Sequence, residues 1–322
     1  MEQVVIVGAG PCGLSAAIEL KKLGIDPLII EKECVVHSIY LYPTYMQFFS
    51  TPELLEIGGY PFSTPNEKPY RQEALTYYRN VAARSELRIR AYHTVTDIVQ
   101  ADTGGFQLQV ENRSGARSIV ETQKLVLATG YFDHPNLIGI PGESLAKVTH
   151  YYREAHPYGG TKVVIIGGNN SAIDAAMDLM RTGAEVTVVY RGPTYSPNIK
   201  PWVRPIFESM VNKGRVRMLF SSQVMSIEEQ TVTVRSNGEE TQLANDFVLA
   251  LTGFRPNRSL LTKLGSSMQP DGTPNFHTDS METSVPGLYL AGVVAASAAD
   301  ANEIFIETGR HHGTLIARHI TG

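Results

Sequence analysis

Val4-Val5-Ile6-Val7-Gly8-Ala9-Gly10-Pro11-Cys12-Gly13 opens the chain, and its reading decides the fold. The first four residues are a continuous apolar, β-branched run, the pattern of a strand buried on both faces of a parallel sheet. The next six form a Gly-x-Gly-x-x-Gly loop. Apolar residues at helical spacing follow from Leu14 to Leu23, with Gly24 as the stop. Pro27-Leu28-Ile29-Ile30 reads as a second buried strand. It ends in Glu31, close to the roughly 20-residue offset at which dinucleotide-binding folds place an acid on the ribose. Each piece has a physical task. Gly8 permits the tight turn, Gly10 lets the backbone approach a pyrophosphate, and Gly13 lets the helix sit close on the sheet. The helix N-terminus, next to Pro11 and Cys12 of the loop, offers N–H donors and partial positive charge to the phosphates. Glu31, followed by Lys32, accepts hydrogen bonds from ribose hydroxyls and repels a 2′-phosphate.

A second, looser copy begins at Lys162. Lys162 to Ile166 is the strand, Gly167-Gly168-Asn169-Asn170-Ser171-Ala172 the loop, and Ile173 to Met180 the helix, stopped by Gly183. Asn169 stands where the second glycine belongs, and Asn tolerates left-handed dihedrals better than other non-glycine residues. The next strand, Glu185 to Tyr190, ends in Arg191. A cation there favours a 2′-phosphate, hence NADPH over NADH; the plainer reading is a solvated strand end. Two fingerprints imply two dinucleotides, and the economical chemistry is hydride transfer from a nicotinamide to a flavin. Apolar strands closing in Thr129-Gly130 and Thr252-Gly253 bracket the second copy, and a further strand from Val285 exits at Gly292.

Composition bounds what else is open. A chain of 322 residues suggests about two domains. Twenty-eight basic against 32 acidic residues give a formal charge of −4, which leaves no electrostatic footprint for nucleic acid. No apolar run approaches the about 20 residues of a membrane helix. Met1-Glu2-Gln3 leads straight into a strand without the regions of a signal peptide, so a cytoplasmic protein is expected. Cys12 and Cys34 cannot build a disulfide framework, and the nine histidines show no metal-binding spacing, so no metal is expected.

The order of these motifs resembles the two-dinucleotide-binding flavoprotein superfamily, especially its low-molecular-weight thioredoxin reductase branch, over essentially the whole chain. The finer resemblance is to bacillithiol disulfide reductases of the YpdA type. It is carried by Cys12 in the first loop, Phe48-Phe49-Ser50-Thr51-Pro52-Glu53-Leu54-Leu55-Glu56-Ile57-Gly58, Ile199-Lys200-Pro201-Trp202 and Ala301-Asn302-Glu303-Ile304-Phe305-Ile306-Glu307. The resemblance implies an FAD-containing, NADPH-consuming enzyme that reduces bacillithiol disulfide. The expected architecture is α/β: two doubly wound Rossmann-like domains, with an NADPH domain (136–255) inserted in an FAD domain (1–135 and 256–322). Ser50 and Thr51 are expected near the flavin ring, Val95 at the adenine, Asn302-Glu303-Ile304 at the pyrimidine end of the ring, and Lys200 near NADPH. An acid usual after Gly292 is replaced by Val293. A homo-oligomer is expected.

With no Cys-x-x-Cys and no cysteine beyond Cys34, a resident dithiol relay is excluded. Cys12 has two readings. At a helix N-terminus its thiol pKa should fall, so that a thiolate could attack a disulfide. Alternatively, a small side chain simply fits there. Rival functions are a ferredoxin- or flavodoxin-NADP reductase, which also needs no dithiol, a flavin monooxygenase, and a non-catalytic binding protein.

Overall fold

A computed structural model describes residues 1–101, 104–297 and 305–322. It divides into two compact units. One comprises Met1–Leu41, Met46–His134 and Phe254–Gly322; the other comprises Pro135–Gly253 together with Tyr42–Tyr45. The Thr44 N–H donates to Arg153 O at 2.7 Å, which ties that short segment into the second unit.

The first unit is organised by a seven-stranded sheet. Arg88–Arg90, Leu28–Ile30, Glu2–Val7, Arg117–Leu127 and Leu288–Leu290 run parallel in that order. The first half of Arg117–Leu127 instead pairs antiparallel with Phe106–Asn112, which pairs with His93–Gln100. Val4, Val5 and Ile6 are wholly buried, as a strand covered on both faces requires. Pro11 opens the helix Pro11–Lys22, where its fixed φ suits the first turn and its missing N–H goes unneeded. Gly24, at φ +84°, ends it. Helix His312–Thr321 packs on that helix so closely that a Cβ on Gly313 would lie 2.7 Å from Ala16 Cα.

The second unit repeats the plan. Its five-stranded parallel sheet runs Arg217–Leu219, Glu185–Val189, Lys162–Ile166, Phe247–Ala250, Val148–Thr149. Helix Asn170–Arg181 buries Ala172, Ile173, Ala176 and Leu179 on it. A three-stranded antiparallel sheet, Ser222–Ile227, Thr231–Ser236 and Glu239–Ala244, completes the unit. The α/β doubly wound expectation therefore holds in both units.

Three local expectations are corrected. Helix Pro11–Lys22 starts at the proline rather than at Leu14, because the fixed φ of Pro11 already suits the first turn and Gly13 lies inside the helix. The strand expected from Val285 shrinks to Leu288–Leu290, since the N–H of Leu288 folds back to Val285 O in a turn. Asn169 is extended at φ −96°, so its tolerance of left-handed backbone is irrelevant. Gly10, its counterpart, is also extended, at φ −72°. Among the described residues, no helix is long and apolar enough to cross a membrane.

Candidate functional site

The first cradle forms where strand Glu2–Val7 passes into helix Pro11–Lys22. Gly8 sits at φ +110°, and a Cβ there would lie 2.4 Å from Ala128 O, just before Thr129-Gly130. A Cβ on Gly13 would lie 2.1 Å from Gly8 O. Close backbone approach dictates both glycines. Gly10 differs: among the described residues nothing lies within 4 Å of its missing side chain, so they leave the loop uncovered at that point. No side chain caps the helix. Glu31, 7% exposed, accepts the Ala9 N–H at 2.7 Å on one oxygen and the Glu33 N–H at 2.9 Å on the other. Each oxygen keeps a lone pair for a hydroxyl donor. An open glycine, an uncapped helix end and a buried acceptor beside them fit the adenosine diphosphate portion of a dinucleotide.

Neighbouring expectations can be placed around this frame. The His93 N–H donates to Glu31 O at 2.9 Å, which brings the start of strand His93–Gln100, and Val95 on it, beside the acid. Lys32 pairs with Asp133 at the surface. Gly292, at φ +78°, faces Cys12: a Cβ on it would lie 2.9 Å from Cys12 Sγ. The Gly292 N–H donates to His312 Nδ1 at 3.1 Å. Val293 is buried and apolar, so a ribitol hydroxyl finds no carboxylate there. Asn302, Glu303 and Ile304 lie outside the described residues.

Of the two readings of Cys12, its surroundings disfavour the thiolate. Burial, and after it the charge of Glu307, push the Cys12 thiol up to about 12. Desolvation penalises the thiolate more than the helix end favours it. Cys34 stays apart, with Sγ 3.5 Å from His37 Nδ1.

Beside Cys12 lies a cluster that sequence reading missed. The Ser50 hydroxyl donates to Glu307 Oε1. Arg310 fixes this contact: its Nη1 donates to Glu53 O and Glu56 O at 2.8 and 2.6 Å, and its Nε to Glu307 O at 3.3 Å. Ser15, on the same helix as Cys12, donates its hydroxyl to Arg310 O at 2.7 Å. Three distant segments therefore meet at the mouth of the cradle. Thr51 turns away to Glu53, whose carboxyl its own backbone N–H and the Thr51 hydroxyl hold below the usual range.

The second cradle repeats the glycine logic with a different cover. A Cβ on Gly167 would lie 2.4 Å from Leu251 O. A Cβ on Gly168 would lie 2.3 Å from the Tyr190 ring, and one on Gly192 would lie 2.4 Å from it. Tyr190, another residue the sequence reading passed over, thus lies against both glycines. Asn169 Oδ1 accepts the Ser196 hydroxyl at 2.6 Å, and Asn170 Oδ1 accepts the Lys200 N–H at 2.9 Å. Both Asn side chains thereby hold the 196–200 loop beside Ser171 and Ala172. Arg191 is exposed and makes no ion pair among the described residues, leaving its guanidinium available to an anion. Lys200 Nζ lies 5.9 Å from the centre of the Trp202 ring. Among the described residues no group of three or more His, Cys, Asp or Glu is arranged to hold a metal.

Comparison with known proteins gives this geometry a family. A family model described as pyridine nucleotide-disulphide oxidoreductase matches residues 5–292. A curated protein of Bacillus subtilis, bacilliredoxin reductase Bdr, is 48% identical over 99% of this chain and 97% of its own length. The structure of bacillithiol disulfide reductase Bdr (YpdA) from Bacillus cereus is similar with a TM-score of 0.97 at 48% identity, covering 99% of this chain and 98% of that one. The corresponding protein from Staphylococcus aureus gives 0.93 at 44% identity, over 99% and 97%.

Proposed function

Because the chain belongs to the pyridine nucleotide-disulphide oxidoreductase family, we propose that it is an NADPH-dependent, FAD-containing enzyme that reduces bacillithiol disulfide to bacillithiol. What supports the cofactor choice is one contrast. The first cradle presents a buried carboxylate, Glu31, and the second an exposed cation, Arg191. A carboxylate suits free ribose hydroxyls, and a guanidinium suits a 2′-phosphate. In this reading the FAD domain is 1–135 with 256–322, the NADPH domain is 136–255, and the enzyme is a cytoplasmic homo-oligomer.

When bound, the two groups supply hydride transfer from nicotinamide to flavin. The chain's own residues do the rest. The N–H groups at Cys12 and Gly13 and the open face at Gly10 bind a diphosphate, and Glu31 orients the adenosine ribose. Gly168, Ser171 and Ala172 receive the second diphosphate under the edge of Tyr190, with Lys200 and Arg191 as the nearby cations. The thiol of Cys12 is partly buried and pushed up to about 12, which favours its protonated form, so direct transfer of electrons to the disulfide is the first reading. Exchange through Cys12 is the second, favoured by its place at the cradle mouth against Gly292.

Anaerobic reduction by NADPH, followed by one oxidised substrate at a time, tests the assignment. Bacillithiol disulfide should restore the oxidised flavin spectrum and glutathione disulfide should not. Because the relative from Bacillus subtilis is named for bacilliredoxin, a bacilliredoxin carrying a mixed disulfide is the third arm. Reoxidation by that protein alone would replace the small-molecule substrate, and reoxidation by none of the three would defeat disulfide reduction.

A further inference from the structure

Reduction of a disulfide by NADPH breaks one S–S bond and makes two S–H bonds. Hydride brings two electrons and one proton, so the second proton must enter from solvent. The ionisable groups around the first cradle's mouth differ in their freedom to carry it. The partly buried Cys12 thiol is pushed up to about 12 and so holds its proton. His312 Nδ1 accepts the Gly292 N–H, and burial, with His311 alongside, lowers its imidazole to about 4. The Arg310 guanidinium is engaged by the carbonyls of Glu53 and Glu56. Glu307 alone of these combines a half-buried carboxylate with an uncommitted oxygen: Oε1 accepts from Ser50, whereas Oε2 has no partner among the described residues.

We infer that Glu307, held by the Ser50 hydroxyl, carries the second proton: it takes it up at Oε2 as electrons enter the first cradle and delivers it to the sulfur leaving the substrate disulfide. The inference rests on the disulfide reductase reading. Negative charge arriving beside a carboxylate favours its protonated form. The acid is thus made at the moment the reaction needs it. Departure of one thiol removes that proton, and the carboxylate returns to its resting state. Ser50 acts as a positioning residue, fixing the carboxylate through Oε1 and leaving Oε2 to carry the proton.

Infrared difference spectra of the flavin-loaded protein, reduced minus oxidised, should contain a protonated-carboxyl band that is lost in Glu307→Gln. Turnover supplies a second readout. Glu307→Gln should lower disulfide reduction about 100-fold more than ferricyanide reduction, in keeping with the usual contribution of a positioned acid. Ferricyanide takes electrons without a thiol to protonate. Ser50→Ala should give a smaller loss of the same kind, and Ser50→Thr, which keeps the hydroxyl, should recover it. A carboxyl band that persists in Glu307→Gln, or equal losses toward both acceptors, would overturn the inference and leave the reductase reading intact. An unsubstituted enzyme that reduces ferricyanide but no disulfide would overturn both.

Discussion

Cys12 and Gly292 occupy one another's space: a Cβ on Gly292 would stand 2.9 Å from Cys12 Sγ and 3.0 Å from Cys12 Cβ. The contact joins the loop that opens the chain to the turn after strand Leu288–Leu290. It explains why residue 292 carries no side chain, a requirement reinforced by its φ of +78°. Gly292→Ala should therefore destabilise the protein through two causes, left-handed strain of about 1–2 kcal/mol and the clash. Cys12→Ala removes Sγ but keeps Cβ, so it should relieve only part of the second and none of the first. Thermal unfolding of both single variants and the double variant separates them. A double variant whose loss is the simple sum of the single losses would show that the two sites do not couple.

Cys12 itself should behave as an inert thiol. With burial holding it near 12, alkylation by iodoacetamide at neutral pH should be far slower than in the same chain unfolded in urea. Peptide mapping of the modified residue reads this directly. Rapid alkylation in the folded protein would restore the nucleophilic reading. So would loss of disulfide turnover in Cys12→Ser with the flavin still bound.

Local signals carried much of this architecture. The run from Val4 to Glu31 announces strand, loop, helix, strand and acid because each is decided by neighbours in sequence: β-branching, glycine spacing, helical periodicity. The second copy was legible by the same means, although Asn169 was read through its dihedral preference when its side chain is used to hold Ser196. Ser50 was singled out for the flavin ring, but Glu307, 257 positions away, does not stand out in its segment, and nothing local pairs the two. Only the sheet topology, which returns the chain's end beside its beginning, brings them together. Tyr190 left a fainter trace. Gly168 and Gly192 both have to be small because its ring lies against them, a relation visible only once the ring has a direction.

Glu31 should be needed to keep the first cradle shaped. Replacing it by Ala leaves the buried Ala9 N–H and the Glu33 N–H without their carboxylate, and hydrogen bonds to charged groups contribute roughly 1.5–3 kcal/mol each. The expected outcome is protein purified largely without visible flavin absorbance and with a lowered unfolding temperature. Full flavin content in Glu31→Ala would remove the acid from the binding role.

Arg191 separates the two nicotinamide cofactors. Among the described residues its guanidinium has no ion pair to give up, so Arg191→Ala should leave stability unchanged. The KM for NADPH should rise about tenfold or more, as expected for a lost charge-assisted contact, and the KM for NADH should barely move. Equal increases for both would refute contact with a 2′-phosphate.

His312 gives the first unit a pH dependence whose sign is fixed by its hydrogen bond. Nδ1 accepts the Gly292 N–H at 3.1 Å, which only the neutral ring can do, and burial followed by the charge of His311 lowers the imidazole to about 4. In the unfolded chain the same ring titrates near 6.5. Between these values the unfolded state binds more protons than the folded one, so stability is complete above about 6.5 and is lost as pH falls toward 4. His312→Asn keeps an acceptor for the Gly292 N–H but does not titrate. Unfolding temperatures measured across that interval should fall less steeply with acid in His312→Asn than in the unsubstituted protein. Parallel curves would mean that His312 carries its proton in the folded state and that the Gly292 contact is made in some other way.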